Sequence, residues 1–432
     1  MSQLLPDHFL ADKPFCEHHS AYAAHDRSAA RVSQELLEAK GRELLRPIYF
    51  KGKKDCCCFR INYDGSITNS YYIGTDWLLP GELAVYVQSK ADRNRDTQVN
   101  YLAMLFSALQ DTGVFGYMDD LYQIKWEEPE IPIPREKDML TPLLMLQYLG
   151  VLRTIVRKGL RKGYAKKESN LRSKVKGKVL VGRNIRQNLA RSRPTHTWCA
   201  YDEFTTDIPE NRVLRKALSY VQRHLPTFPH LAQGSGFTDL IHYISPAFAH
   251  ISEDVSLQEC RHFRPNPLYK EYATAIDLAQ KILRRLGHNA RSATDRAYTT
   301  PPFWIDMSKL FELYVLQKLK ARYPGKVAYQ FGTQLGIADF ILCDGDNSMV
   351  IDAKYKLKYR EGNFDNSDLW QVSGYARTDE VYKKLGKPDR ELIDCLIIHP
   401  ADKDGDLDKL TEKPISTIRR VYQLGVELPV TG

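Results

Sequence analysis

A chain of 432 residues with 62 Lys and Arg against 53 Asp and Glu, a formal charge of +9, is long enough for two or three domains with their own cores and too long for one small module. With 43% hydrophobic and 27% charged residues and a mean hydropathy of −0.44, it falls among soluble globular proteins rather than disordered or membrane ones. No apolar run approaches the roughly 20 residues of a membrane helix, and Met1 to His8 lacks a basic start leading into an apolar stretch, so a cytoplasmic protein with no membrane contact is expected.

Residues 1–130 read as a β-rich domain. Strand-like runs cover Cys56 to Tyr63, Ser70 to Gly74 and Leu83 to Gln88, separated by Asp64-Gly65 and Pro80-Gly81. A helix follows, with Val99, Leu102, Leu105, Phe106 and Leu109 at helical spacing before Gly113. The eight cysteines, Cys16, Cys56, Cys57, Cys58, Cys199, Cys260, Cys343 and Cys395, include no C-x-x-C pair, and three in a row on an extended segment point to alternate faces. With His18, His19 and His262 away from ligand spacing, reduced thiols are expected rather than zinc. Pro129, Pro132 and Pro134 stop any helix and make Glu127 to Pro134 a first boundary.

Residues 131–295 read as a helix-rich basic region. An amphipathic helix runs from about Met139 to Gly159, and further helices cover Asn211 to His224 and Leu268 to Leu286. Between Arg153 and Arg193 stand fifteen Lys or Arg against one acid, Glu168, a local charge of +14; the remaining 47 basic and 52 acidic residues balance at −5. Charge concentrated in this way points to a polyanionic partner, either nucleic acid or an acidic protein surface. No period of 20 to 50 residues repeats, which argues against a solenoid. A second boundary falls near Gly287 to Thr300, before Pro301-Pro302.

Residues 296–432 carry the chemistry. Asp306 caps a helix whose stripe is Met307, Leu310, Phe311, Tyr314, Val315 and Leu319, ending near Pro324-Gly325. Strands are expected at Val327 to Phe331, Ile337 to Leu342 and Met349 to Tyr355, then a helix from Asp368 to Arg377 and a strand from Cys395 to Ile398, the order α-β-β-β-α-β. Residues i and i+2 of a strand share a face, so Asp352 and Lys354 project together while Ile351 and Ala353 turn away. If the two strands pair across Asp344-Gly345-Asp346-Asn347, Asp339 lies near Asp352. Two carboxylates and the main-chain carbonyl of Ala353 form a hard-oxygen site suited to Mg²⁺, with Mn²⁺ as substitute. Beside it Lys354 would hold the attacking water or offset developing charge, which is phosphodiester hydrolysis. Gln371 and Tyr375, four apart on a helix, and Glu312 on the preceding helix are candidate outer members.

The runs Ile337-Ala-Asp-Phe-Ile-Leu, Val350-Ile-Asp-Ala-Lys-Tyr-Lys356, Asp368-Leu-Trp-Gln-Val-Ser-Gly-Tyr-Ala376 and Leu396-Ile-Ile-His-Pro400 together resemble the PD-(D/E)xK nuclease domain of McrC-type restriction subunits. The helix from Asp306, the run Val175-Lys-Gly-Lys-Val179 with Asn184-Ile185, Tyr201-Asp and Glu210 to Ala217 are similar to the same subunits, so the likeness covers roughly Met139 to His399. It implies an α/β fold, or multidomain α+β, with a restriction-endonuclease-like core of central mixed sheet and flanking helices. It also implies Asp339, Asp352 and Lys354 as catalytic triplet, Gln371 and Tyr375 as a supporting motif shared with RecB-like nucleases, and double-stranded DNA as substrate. Where the family usually has proline before the first aspartate, this chain has Ala338. McrC-type subunits work with McrB-type AAA+ GTPase rings. This sequence has no G-x-x-x-x-G-K-[ST] stretch, so a motor would be another chain. A stand-alone RecB-like nuclease and a non-catalytic adaptor remain as alternatives, and the residues before about Leu121 carry no resemblance.

Overall fold

The run Tyr72–Leu79 is apolar on both faces, the pattern of a strand covered on both sides. In the computed structural model it is the central strand of a five-stranded sheet in the order Phe15–Cys16, Leu83–Gln88, Tyr72–Leu79, Phe303–Asp306, Tyr122–Ile124. The structure describes residues 8–10, 15–16, 32–89, 99–110, 114, 117–118, 120–227, 235–255, 267–291, 298–356, 359, 363–388, 391–415 and 418–430. Gly113, Cys260, His18, His19, His262 and residues 292–297 of the second expected boundary lie outside them.

Contacts divide the chain into two units, one joining Met1–Leu143 to Asp295–Gly432 and the other holding Leu144–Thr294. The expected boundary at Glu127–Pro134 thus lies inside the first unit. Phe303–Asp306 explains why: the sequence reading counts it with the C-terminal domain, yet it pairs antiparallel with Tyr72–Thr75 and with Tyr122–Ile124. Gly74 permits the approach, since a Cβ there would stand 2.1 Å from the Phe303 carbonyl oxygen. Asp76, wholly buried, accepts from the Trp304 indole at 2.7 Å and meets the Lys125 ammonium at 2.9 Å, tying three strands together. A smaller sheet, Ile48–Tyr49, Cys57–Ile61 and Ile67–Asn69, buries Cys58 and Phe59 against this core.

The C-terminal sheet follows the order Val327–Thr333, Gly336–Leu342, Met349–Ala353, Asp394–Ala401, Val421–Glu427. The first three strands are antiparallel and the last three parallel, the expected mixed sheet. Helix Met307–Arg322 starts where Asp306 accepts the Lys309 amide at 2.9 Å, and it buries Leu310, Phe311, Tyr314, Val315 and Leu319. Helices Asn366–Tyr375 and Asp379–Leu385 pack Leu369, Val372 and Val381 on Ile341, Val350, Cys395 and Ile397. The helix Asp379–Leu385 and the last strand were not anticipated.

In the second unit, helices Pro209–His224 and Glu271–Arg291 pack together, and Asn211, fully buried, donates to the carbonyls of Arg161 and Thr206 and accepts from Tyr272. Within this helix-rich region the basic stretch itself contains strands, elements that sequence reading did not assign. Gly163–Arg172 pairs antiparallel over its whole length with His196–Thr205, and Lys178–Val179 adds a third strand. Charge on both faces erases the apolar alternation that reveals a strand. Lys166, Arg172, Lys174, Lys176 and Arg186 stand exposed, while Arg183 stacks on Trp198 at 3.8 Å.

Candidate active site

Strand alternation decides which side chains meet. In Met349–Ala353, Val350 and Asp352 share the face covered by helix Asn366–Tyr375. Register pairs Phe340 with Ile351 and Ile341 with Val350, which carries the ladder toward Asp339 and Asp352. There the ladder stops, because the Asp339 carboxylate takes the Ala353 amide at 2.8 Å in place of a main-chain acceptor. An extended residue turns its amide and carbonyl to one edge, so the Ala353 carbonyl shares the edge on which Asp339 lies.

Asp352 is 1% exposed. Its Oδ2 lies 2.9 Å from Lys354 Nζ, yet without hydrogen-bond geometry, so this buried oxygen has no hydrogen-bond donor. The ammonium donates instead to Gln371 Oε1 at 2.9 Å, and the Gln371 amide donates to the Tyr375 hydroxyl at 2.9 Å. Burial, then the charges of Asp352 and Glu312, hold the Asp339 carboxyl well above the ordinary range. Burial likewise pushes Asp352 up, with Lys354 opposing. For Lys354 burial works downward, and the neighbouring Asp352 more than offsets it. Two buried acids that resist joint ionisation, one of them ion-paired to the adjoining lysine, are a donor set that a divalent cation could share.

Glu312 is tied by Lys309 at 3.3 Å and by the Gln330 amide. Gln330 stands opposite Asp339 with φ +53°, a strained conformation at the rim of the site. Among the described residues, no three His, Cys, Asp or Glu side chains form a ready metal cluster. Asp339, Asp352 and the Ala353 carbonyl are the candidate oxygens that converge here, while Glu312 is engaged by Lys309 and Gln330. Gln371 and Tyr375 do reach the site, linked to it through Lys354.

Sequence reading missed a second polar cluster behind the first. Lys356 donates to Asp365 and Asp368, each at 2.6 Å, and Tyr359 donates to Asp368. Lys356 follows Lys354 by two residues, the spacing that could have revealed it.

A mixed sheet with a buried acid pair at the parting of two strands, an adjoining lysine and an amide-phenol helix defines an α/β protein with a polar, partly buried candidate site. A family model described as McrBC 5-methylcytosine restriction system component matches residues 72–385, and the chain belongs to that family. All six candidate side chains fall within the match. Two solved structures from Thermococcus gammatolerans are similar. A refined half-complex from a tetradecameric assembly of McrB AAA+ hexamers with bound McrC is 15% identical with a TM-score of 0.35, covering 86% of this chain and 80% of that one. The cryo-EM structure of the McrBC complex is 16% identical with a TM-score of 0.32, covering 73% and 89%. No curated protein matches. Among the described residues, no helix is long and apolar enough to cross a membrane.

Proposed function

We propose that this chain is the DNA endonuclease subunit of a McrBC-type restriction system acting on foreign DNA, with a PD-(D/E)xK core, and that it works as the McrC-like partner of a McrB-like AAA+ GTPase ring. The carrying observation is the convergence of Asp339 and Asp352 where their strands part, with Lys354 bridging Asp352 to Gln371. Asp339, Asp352 and the Ala353 carbonyl would hold Mg²⁺, or Mn²⁺ in its place. The ion would supply Lewis acidity and lower the pKa of a bound water, so that hydroxide is available to attack phosphorus.

Lys354 is fixed between an acid and an amide, so its ammonium faces the scissile phosphate without a search among rotamers. It offsets the charge that gathers on the phosphate oxygens. Gln371 and Tyr375 position Lys354, and the buried floor of Val350 and Ile397 keeps the acids from dispersing into water. Family membership and the absence of a nucleotide-cradling glycine loop favour a separate GTPase chain. The exposed basic sheet of the second unit fits a role in contacting DNA or that ring.

The test is Asp352→Ala in the full chain, assayed with its ring partner on double-stranded DNA. Cleavage should vanish while thermal stability and ring association persist. Unchanged cutting by the purified variant complex would remove the nuclease assignment.

A further inference from the structure

Strands Val327–Thr333 and Gly336–Leu342 are joined by a two-residue turn, Gln334-Leu335. Its tip leans on helix Asn366–Tyr375: a Cβ at Gly336 would stand 3.2 Å from the Tyr375 hydroxyl, and one at Gly374 3.5 Å from Leu335 Cδ1. With φ +132°, Gly336 occupies a conformation that side chains resist, so the seat is shaped for glycine. This approach leaves three large apolar side chains in solvent: Leu335 65% exposed, Ile337 55% and Trp370 69%.

They are not scattered. Ile337 precedes Asp339 by two residues and shares its face of the strand. Trp370 adjoins Gln371 in sequence and stands one helical turn from Gly374, on the side where Leu335 rests. The apolar row therefore borders the chain Lys354–Gln371–Tyr375 and ends toward the acid pair. Beyond the helix, Arg377 is exposed. Exposed large apolar side chains gathered at one turn and one helix face beside a candidate site are the kind of surface that binds a partner.

We propose that Leu335, Ile337 and Trp370 form an apolar lip that packs on the sugars and base edges of duplex DNA beside the cleaved phosphate, entering the minor groove there. The inference rests on the nuclease reading above and names how that site holds its substrate. Continuity selects the occupant. A phosphate seated at Lys354 places its neighbouring sugar and base beside the site, where Trp370 adjoins Gln371 on the helix and Ile337 stands two residues before Asp339 on the strand. Apolar wedges are the usual means of gripping the minor groove, where base edges offer little hydrogen-bond information. Arg377 supplies a cation for a phosphate further along the strand.

The experiment has two arms. In chelator, the full chain bound to duplex carrying 5-iodouracil beside the cleavage site is irradiated, and a cross-link to Trp370 is expected. In cleavage assays with the ring partner, Trp370→Ala and the double variant Leu335→Ser, Ile337→Ser should each raise KM about 10-fold with little change in kcat, and Trp370→Phe should restore most of the loss. All three positions are judged on variants whose melting temperatures match the parent. Wild-type KM in both variants with no cross-link would overturn the lip, as would normal duplex affinity with lost ring binding, which would make the row a protein contact. Asp352→Asn separates the two readings. If it still cuts, the nuclease assignment fails; if it is inactive while the lip variants behave as wild type, the lip alone fails.

Discussion

Asp306 caps the helix that carries Glu312 while lying at the end of a buried strand, and the two duties conflict. Burial, with Glu312 adding, raises its carboxyl to about 6, although the amides of Lys309 and Ser308 pull it back. A carboxyl that binds its proton more tightly in the folded chain favours folding below its ordinary pKa. That contribution is lost as pH rises toward the folded value. Asp306→Asn keeps the capping acceptor and removes the conflict. It should be more stable than the parent at pH 7 by about 1–2 kcal/mol, with the gap closing near pH 4; denaturant titrations at both values measure it, and an equal gap at both would refute the account. At this scale the sequence was readable where periodicity speaks. Alternation placed Asp352 on the face it occupies, and the helical four-residue step brought Gln371 and Tyr375 together. The tie of Glu312 to Lys309 follows from i,i+3 helical spacing, whereas its tie to Gln330 was not readable, because it joins the helix to a strand 18 residues further on.

Among elements, the helix Asn366–Tyr375 is held by its first turn. Asp368 is nearly buried, and Lys356 and Tyr359 satisfy it. Lys356→Met would leave that carboxylate with one donor and should cost about 2–3 kcal/mol. Because Gln371 lies one turn along, cleavage should fall as well, through kcat more than through KM. A lower denaturation midpoint without any change in kcat would show that the first turn does not position Gln371. Most elements of the C-terminal sheet were legible, since Ile337 to Leu342 and Met349 onward carry apolar alternation and turn residues between them. Two kinds escaped. The strand Val421–Glu427 is edge-like and mixed in polarity, and Gly163–Arg172 has charges on both faces, so neither shows the period that identifies a strand.

For the whole molecule, the first unit is drawn from two distant stretches of chain. Its two junctions lie together: the Tyr298 hydroxyl donates to Asp138 and lies 3.3 Å from the Thr141 hydroxyl, and Ile133 donates its amide to the Tyr298 carbonyl at 2.8 Å. Residues 1–143 joined to 295–432 by a short Gly/Ser linker should therefore fold and melt cooperatively. Residues 296–432 alone should not, having lost both strands that flank Phe303–Asp306. Circular dichroism melts of the two proteins decide the point, and a cooperative transition in the shorter one would contradict it. No local pattern could foretell this arrangement, because a four-residue strand preceded by two prolines has too little length to declare its partners.

Phe303–Asp306 also orders events during synthesis. Tyr72–Leu79 leaves the ribosome with one edge bare, and its neighbour on that side emerges only after about half the chain has followed. An open apolar edge is the sort of surface that chaperones hold and that other nascent chains invade. The residues between the two stretches emerge complete before that neighbour does, so they have the opportunity to fold first.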